Sequence, residues 1–443
     1  MTKVITYGTF DLLHYGHIRL LERAKKLGDY LIVGVTSDDF DKSRGKINVK
    51  QSLAERIAAV QATGIADEII VEEYEGQKID DIIRLGIDVF TVGSDWAGVF
   101  DYLNAYCKVV YLDRTAGVSS SDIRSRRDEI SIGIAGDLNV VKKFADESRF
   151  VNGVRIGGVF SNRSSLRRSF ESAGIYLADS FQDLLGKVDA VFLVTPQDQH
   201  FEQIKLAIEN HKHVLCVPPF ALNKKECSDL FEMATRNGVI LMNAIKTAYF
   251  TAYMRLILLV KSGKIGDVVS IKSTCTSLAE NDTYAKNWNS ICAWGPTAML
   301  PIFQLLGCEY AKKVIVSSMS SPVYDEFTKI DFVFKHSVAS VEVGKGVKSE
   351  GELVVAGTKG YIFVPSPWWK TDYFEIRFEE EGKRTRYYYQ LDGEGLRYEL
   401  IYFLQAIQSG KQSSLIDKNT SIAICDVIDA FYNKADFIDI GYR

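Results

Sequence analysis

A chain of 443 residues with 47% apolar and 25% charged residues has material for about three domains of ordinary size, each with a real core. Its formal net charge of −4 gives no reason to expect nucleic acid or an anionic membrane as partner. The cysteines (107, 216, 227, 275, 292, 308 and 425) are scattered and form no C-x-x-C pair, which suggests neither a disulfide framework nor a zinc site and fits a reducing cytoplasm. The chain starts directly in a strand, and no apolar run approaches the roughly 20 residues of a membrane span, so secretion and membrane insertion are not expected.

The first predicted strand covers 4–7 and runs into Gly8-Thr9-Phe10-Asp11-Leu12-Leu13-His14-Tyr15-Gly16-His17, after which the apolar spacing of 18–24 is helical. A strand, a glycine-containing turn and a helix make an anion site, because the helix start offers unpaired N–H groups and a positive dipole end. His14 and His17 stand three apart in the first turn, so both imidazoles can point at one anion, and Gly16 keeps a side chain from crowding it. Strands are then predicted over 29–35, 68–71, 88–93 and 107–112, with helices over 52–63 and 79–85 between them. Alternation of this kind argues a parallel sheet covered on both faces, with ligands outside the carboxyl ends of the strands. The first turn, Ser94-Asp95-Trp96 and Arg114-Thr115 all fall on that rim. Arg114-Thr115-Ala116-Gly117-Val118-Ser119-Ser120-Ser121, ahead of a short predicted helix over 122–127, combines an arginine fork with a hydroxyl-rich helix start, a second phosphate cradle.

These two stretches resemble the H-x-G-H and R-T-x-G-[IV]-S-[ST]-[ST] signatures of the cytidylyltransferase branch of the nucleotidylyltransferases. The longer match from Gly8 to His17 resembles the glycerol-3-phosphate cytidylyltransferases in particular. The resemblance implies that His14 and His17 contact the triphosphate and stabilise the transition state, with Lys46 of a mobile loop and Arg114 supplying further positive charge. It places Thr9, Phe10, Asp11 and Gly16 at the nucleotide pocket, Arg44 beside Lys46, and Thr115, Ser119 and Ser120 on the phosphates. Asp95 and Trp96 match a G-x-D-W segment that holds the nucleoside, although a tryptophan at a strand end is as commonly core. Gln77, Lys78 and Arg56 match acceptor-site positions. The implied reaction is in-line attack of a phosphomonoester oxygen on the α-phosphorus of CTP, carried by positioning and positive charge, with Mg²⁺ arriving on the triphosphate rather than in a protein cage. One departure bears on the acceptor: the family's second arginine after the mobile loop falls on Gly64.

Beyond the charged stretch 124–129 the pattern restarts. Strands are predicted over 130–136, 154–160, 190–196 and 213–217, with a helix over 139–148, a second Rossmann-like series. From 268 onward strands dominate (268–274, 314–317, 330–334, 338–343, 352–356, 361–364, 373–378 and 387–390), and helices over 395–409 and 420–435 close the chain, which argues an open, mostly antiparallel sheet with one covered face. The aromatic cluster Pro365-Ser366-Pro367-Trp368-Trp369-Lys370 with Tyr387-Tyr388-Tyr389 is expected at a subunit interface.

Gly133-Ile134-Ala135-Gly136, Thr195-Pro196-Gln197-Asp198-Gln199-His200, Ala221-Leu222-Asn223 and Ser262-Gly263-Lys264-Ile265-Gly266 resemble the glucose–fructose oxidoreductase (Gfo/Idh/MocA) family over nearly all of the remaining chain. Its working residues are mostly replaced. Asp137-Leu138 stand where the dinucleotide fingerprint has x-G, Val217-Pro218-Pro219 where the family has E-K-P with a catalytic lysine, and the later D-x-G-x-H-x-x-D pattern meets Ala293 to Leu300 without its acids or histidine. His200 is expected to be structural and Ser161-Asn162-Arg163 a surface turn.

The expected fold is α/β: a Rossmann-like nucleotidylyltransferase domain over 1–128, a second Rossmann-like domain over 129–245, and an α+β domain with a large, mostly antiparallel sheet over 246–443. The expected function is a cytoplasmic cytidylyltransferase that joins CMP from CTP to a small polyol phosphate. Glycerol 3-phosphate giving CDP-glycerol is preferred, as for a teichoic acid or capsule building block. The oxidoreductase-like part is expected to be inactive, without NAD(P), and to serve assembly or ligand binding in a homodimer or higher homo-oligomer. A bifunctional reductase plus cytidylyltransferase, and a non-catalytic nucleotide sensor, are the alternatives.

Overall fold

Five parallel strands, β1 (Lys3–Gly8), β2 (Tyr30–Thr36), β3 (Glu68–Glu72), β4 (Val89–Gly93) and β5 (Lys108–Leu112), pair in the order β3-β2-β1-β4-β5. Side chains alternate across each strand, so Val4 joins the apolar cluster with Leu21, Leu31 and Val60 on one face, while Ile5 joins Ile82, Phe90 and Leu103 on the other. Helices Tyr15–Lys25 and Leu53–Ala62 supply the first layer and Gln77–Leu85 the second. Ser52 and Glu55 form a reciprocal capping box that starts the middle helix. The strand order reverses beside β1, so the carboxyl ends of β1 and β4 flank a topological switch point, where such sheets bind ligands.

The computed structural model describes residues 1–443 except 14, 44–48, 50, 75, 114–128, 279–287, 381–382, 390, 392, 413 and 442–443. Two compact units emerge: Met1–Glu129 with Val151–Gly153, and Ile130–Phe150 with Val154–Arg443. The segments 129–245 and 246–443 thus share the second unit almost entirely. The helix expected over 122–127 lies outside the described residues.

The second unit opens with another parallel sheet, β6 (Ile130–Gly136), β7 (Val154–Phe160), β8 (Ala190–Val194), β9 (His213–Cys216) and β10 (Leu241–Asn243), ordered β10-β9-β8-β6-β7. Nine strands follow as β11 (Val268–Thr276), β12 (Lys312–Ser321), β13 (Tyr324–Val333), β14 (Val338–Gly344), β15 (Leu353–Gly357), β16 (Tyr361–Val364), β17 (Tyr373–Arg377), β18 (Arg384–Tyr388) and β19 (Phe437–Asp439). Their order is β18-β17-β16-β15-β11-β14-β13-β12-β19, antiparallel except for β11 with β14 and β12 with β19. The last hairpin strand is Arg384–Tyr388 rather than 387–390, because its register is set by pairing Arg384 with Arg377 and Tyr388 with Tyr373.

Two further differences from expectation have plain causes. Helix Ser290–Leu306 contains Pro296 and Pro301, which hide it in a propensity reading; burial of Ile291, Met299, Leu300 and Phe303 overrides the two lost backbone bonds. Trp368 is completely buried and donates its indole N–H to the Thr274 carbonyl at 3.1 Å, so the centre of the aromatic cluster is core and not interface.

Helix Leu396–Ser409 buries a carboxyl group. Glu399 is 1% exposed, and its Oε2 has no hydrogen-bond partner among the described residues. Burial pushes its pKa up to about 8, against the pull of Lys246 and with a small push from Glu147. Between the unfolded value near 4.5 and about 8 the native state therefore keeps a proton that the unfolded chain releases, and stability falls as pH rises through that window. Urea unfolding followed on the tryptophans at 288, 294, 368 and 369 is expected to lose up to about 1.4 kcal/mol per pH unit more in the parent than in Glu399→Gln between pH 5 and 8. Identical pH slopes for the two proteins would refute the assignment.

Candidate active site

The turn after β1 holds two residues in the left-handed region, Phe10 at φ 54° and Leu12 at φ 48°. Neither is glycine, so each costs on the order of 1–3 kcal/mol and must be held by its surroundings. The holding groups come from far along the chain. Gln51 donates its backbone N–H to Asp11 Oδ1 at 3.0 Å and accepts the Leu12 N–H on Oε1 at 2.7 Å. Arg56 donates Nη1 to the carbonyls of Thr9 (2.7 Å) and Thr36 (2.8 Å), Nε to the Gln51 carbonyl (3.1 Å), and Nη2 to Asp38. Thr9 Oγ1 donates to Asp41 Oδ1 at 2.8 Å. Phe10 is buried and lies edge-on to the His17 imidazole, with ring centroids 5.5 Å apart. Its ring passes 3.1 Å from where a Cβ on Gly8 would stand, which is why a glycine ends the strand.

The helix Tyr15–Lys25 then begins with its N-terminus at the switch point and with Gly16 and His17 in its first turn. Arg23 in its last turn donates to the Asp113 carbonyl at 2.5 Å, tying the helix to the chain immediately before Arg114. Beyond β4, Ser94–Trp96 form a 3-10 turn; Asp95 is exposed, and Trp96 is half-buried against Phe100 with centroids 5.9 Å apart.

Three expected substrate contacts are placed differently. Arg56 is 0% exposed and its guanidinium is enclosed by the partners above, which tie it to the motif turn. Gln77 donates to the Val71 carbonyl (2.7 Å) and Asp81 (3.0 Å) and accepts the Glu73 N–H (2.7 Å). Lys78 is paired with Glu72 and lies over the Tyr7 ring at 4.8 Å from its centroid. Tyr7 in turn donates to Asp81 at 2.9 Å, and burial and that carboxylate push its pKa far above the ordinary range. All three side chains are thus spent on buried structure at the rim. Gly64 is left-handed at φ 66° just past helix Leu53–Ala62, with open space where a Cβ would stand. His14, Arg44, Lys46, Arg114, Thr115, Ser119 and Ser120 lie outside the described residues. Gln51, Asp38 and Asp41 were not foreseen, because nothing in a sequence marks a residue that acts on a turn some 40 positions away.

In the second unit, the turn after β6 makes a different closure. Asp137 Oδ1 accepts Ser161 Oγ (2.7 Å) and the backbone N–H groups of Asn162 (2.7 Å) and Arg163 (3.2 Å), while Arg163 Nη1 reaches back to the Asp137 carbonyl at 3.2 Å. Ser161 is buried by this clasp while Asn162 stays exposed, so 161–163 is a surface turn anchored at its first residue. His200 is fully buried, its two ring nitrogens at 2.7 Å from the Pro219 carbonyl and 2.8 Å from that of Thr195; burial lowers its pKa despite both carbonyls. No group of three or more metal-ligating side chains occurs among the described residues, and no described helix is long and apolar enough to cross a membrane.

Comparison with known proteins agrees with this division. Residues 5–126 match the cytidylyltransferase-like family model, and residues 131–245 match the model of the oxidoreductase family with an NAD-binding Rossmann fold. A glycerol-3-phosphate cytidylyltransferase from Bacillus spizizenii is 50% identical over 124 residues, 28% of this chain and 95% of that protein. A scyllo-inositol 2-dehydrogenase (NADP(+)) from Bacillus subtilis is 33% identical over 132 residues, 29% of this chain and 40% of that protein. The solved structure of a 3-ketoreductase from Actinomadura kijaniata superposes with a TM-score of 0.63 at 16% identity, over 71% of this chain and all of that one, a likeness of fold. Through its first unit the chain belongs to the cytidylyltransferase-like family and is a nucleotidyltransferase, and its second unit is oxidoreductase-like.

Proposed function

We propose that the chain transfers CMP from CTP to a small polyol phosphate, with sn-glycerol 3-phosphate as the preferred acceptor and CDP-glycerol and pyrophosphate as products. The observation that carries this reading is the Gly8–His17 turn at the switch point, clamped by Gln51 and Arg56 in a conformation it would not adopt alone. The 50% identity to a glycerol-3-phosphate cytidylyltransferase supports the acceptor class. Gly64, left-handed and without a side chain, means that any second acceptor-phosphate cation comes from elsewhere.

In the reaction, an acceptor phosphate oxygen attacks the α-phosphorus, the bond from that phosphorus to the β-bridging oxygen breaks, and the electron pair leaves with pyrophosphate. A Mg²⁺ ion carried by the triphosphate would neutralise part of its charge. The first N–H groups of helix Tyr15–Lys25 and the His17 imidazole donate to phosphoryl oxygens as charge moves onto them. Phe10, edge-on to His17, fixes the imidazole plane.

The second unit, on this reading, does not carry out hydride transfer. NAD(P) fits poorly because Leu138 stands where the backbone must approach a pyrophosphate. The adjacent Asp137 carboxylate, already saturated by 161–163, brings negative charge to the same turn, and Pro218 offers no proton. An equilibrium-dialysis measurement with NADPH and NADH is expected to detect no saturable binding; micromolar binding of either would reverse this part of the reading.

Pyrophosphate release is expected to require both CTP and a polyol phosphate and to fail with ATP; release from CTP alone, or with ATP equally well, would exclude the assignment. His17→Ala should lower kcat by about 10²–10³-fold, the cost of removing one transition-state donor. Gln51→Ala should lower kcat/KM for CTP by about 10- to 100-fold through misplacement of the turn. The thermal midpoint of this variant is expected to stay close to the parent's, and a loss of activity that merely tracks unfolding would show Gln51 to be a stability residue only.

A further inference from the structure

Three lysines from three separate segments of the second unit converge on one carboxylate. Lys143 of helix Val140–Ser148, Lys246 at the start of the turn Lys246–Tyr249, and Lys370 at the end of the turn Trp368–Lys370 donate to Glu394 at 2.9, 3.3 and 2.6 Å. Neighbouring groups do not restore the balance. Glu147 is spent on the backbone N–H groups of Glu394 and Arg397 and on the Arg397 side chain. Burial raises the pKa of Glu399 and, against the pull of Glu394, lowers that of Lys246, so these two do not form a full ion pair. With the three lysines protonated, their charges against the one of Glu394 leave a surplus of two.

The surplus is held in a built frame. Thr247 Oγ1 donates to the Trp369 carbonyl at 2.9 Å, which fixes the turn bearing Lys246 beside the turn bearing Lys370. Glu147 anchors Glu394 to the helix that carries Lys143. Each ammonium has three donors, and Glu394 is the one partner of each among the described residues. The group is open to solvent, with Lys143 50%, Lys370 40%, Glu394 28% and Lys246 24% exposed. Like charges gathered around one carboxylate repel and their burial is costly, so the arrangement is most stable with a second anion present.

We propose that Lys143, Lys246 and Lys370 form a binding site for a phosphate dianion, inorganic or carried as a monoester, whose two charges match the surplus and whose oxygens take the unused ammonium donors. Lysines suit such a ligand as point charges that need no planar fork. The site is independent of the transferase chemistry proposed for the first unit and of any dinucleotide.

The test is lysine acetylation footprinting of the full chain by mass spectrometry, with inorganic phosphate titrated at constant ionic strength. Lys143 and Lys370 are expected to become saturably protected, while the exposed Lys225 and Lys335 keep their reactivity. Lys370→Gln, and separately Lys143→Gln, should raise the phosphate concentration needed to protect the remaining lysine about tenfold, the loss of one charge-assisted hydrogen bond. Protection by sn-glycerol 3-phosphate at lower concentration than by phosphate assigns the site to an organic monoester, and equal protection assigns it to free phosphate; either upholds it. No protection, or protection that Lys225 shares or that survives both substitutions unchanged, would overturn the proposal and leave the cluster as a structural ion-pair network.

Discussion

Arg56 has no exposed surface, and a buried guanidinium must find acceptors for its donors or cost several kcal/mol. It finds them in the carbonyls of Thr9, Thr36 and Gln51 and in the carboxylate of Asp38, groups that belong to four different segments. That single demand aligns the end of β1, the end of β2, the helix Asp38–Ser43 and the start of helix Leu53–Ala62. The left-handed pair Phe10 and Leu12 is affordable only inside this frame, because an unclamped turn would relax both residues to ordinary angles. The orientation of the helix that carries His17 follows from how the turn before it is bent. The geometry of the motif turn therefore depends on a residue that is itself buried.

In the second unit a carboxylate joins the turn after β6 to the turn after β7. In a dinucleotide site the turn after the first strand and the turn after the second face a common cofactor. Here Asp137 spans from one to the other and is satisfied by a hydroxyl and two main-chain N–H groups. A carboxylate with three donors is well stabilised, and opening it to admit a phosphate would strand a negative charge beside a negative ligand. The frame of the fold survives this closure because its strands are held by the apolar cluster of Leu184, Val191, Leu193 and Ile204, which does not involve the turns. The turns of such a fold can therefore change while its sheet stays the same.

Much of the architecture was legible. The β-rich runs of both parallel sheets are continuous and apolar, and the motif turn sits between a strand and a helix where its glycine and histidines have a physical role. What was not legible has a common cause: it depends on partners distant in the chain. Arg56 and Lys78 are cations that the family resemblance assigns to the acceptor, and nothing local says that Asp38 and Glu72 pair with them. Helix Ser290–Leu306 is contradicted locally by two prolines and made by packing against β11, β13 and β14. Trp368 reads as an exposed aromatic among prolines until the Thr274 carbonyl beneath it is known.

Among the described residues the two units also treat positive charge differently. On the described wall of the first site, Lys78 is paired with Glu72 and Arg56 with Asp38. Cations paired in this way add no uniform grip on CTP and pyrophosphate, and binding that is equal in ground state, transition state and product does not accelerate a reaction. Donors that strengthen only as charge moves onto the phosphoryl oxygens avoid that penalty. The three lysines around Glu394 share a single carboxylate instead, an arrangement that on the inference drawn above suits holding an anion.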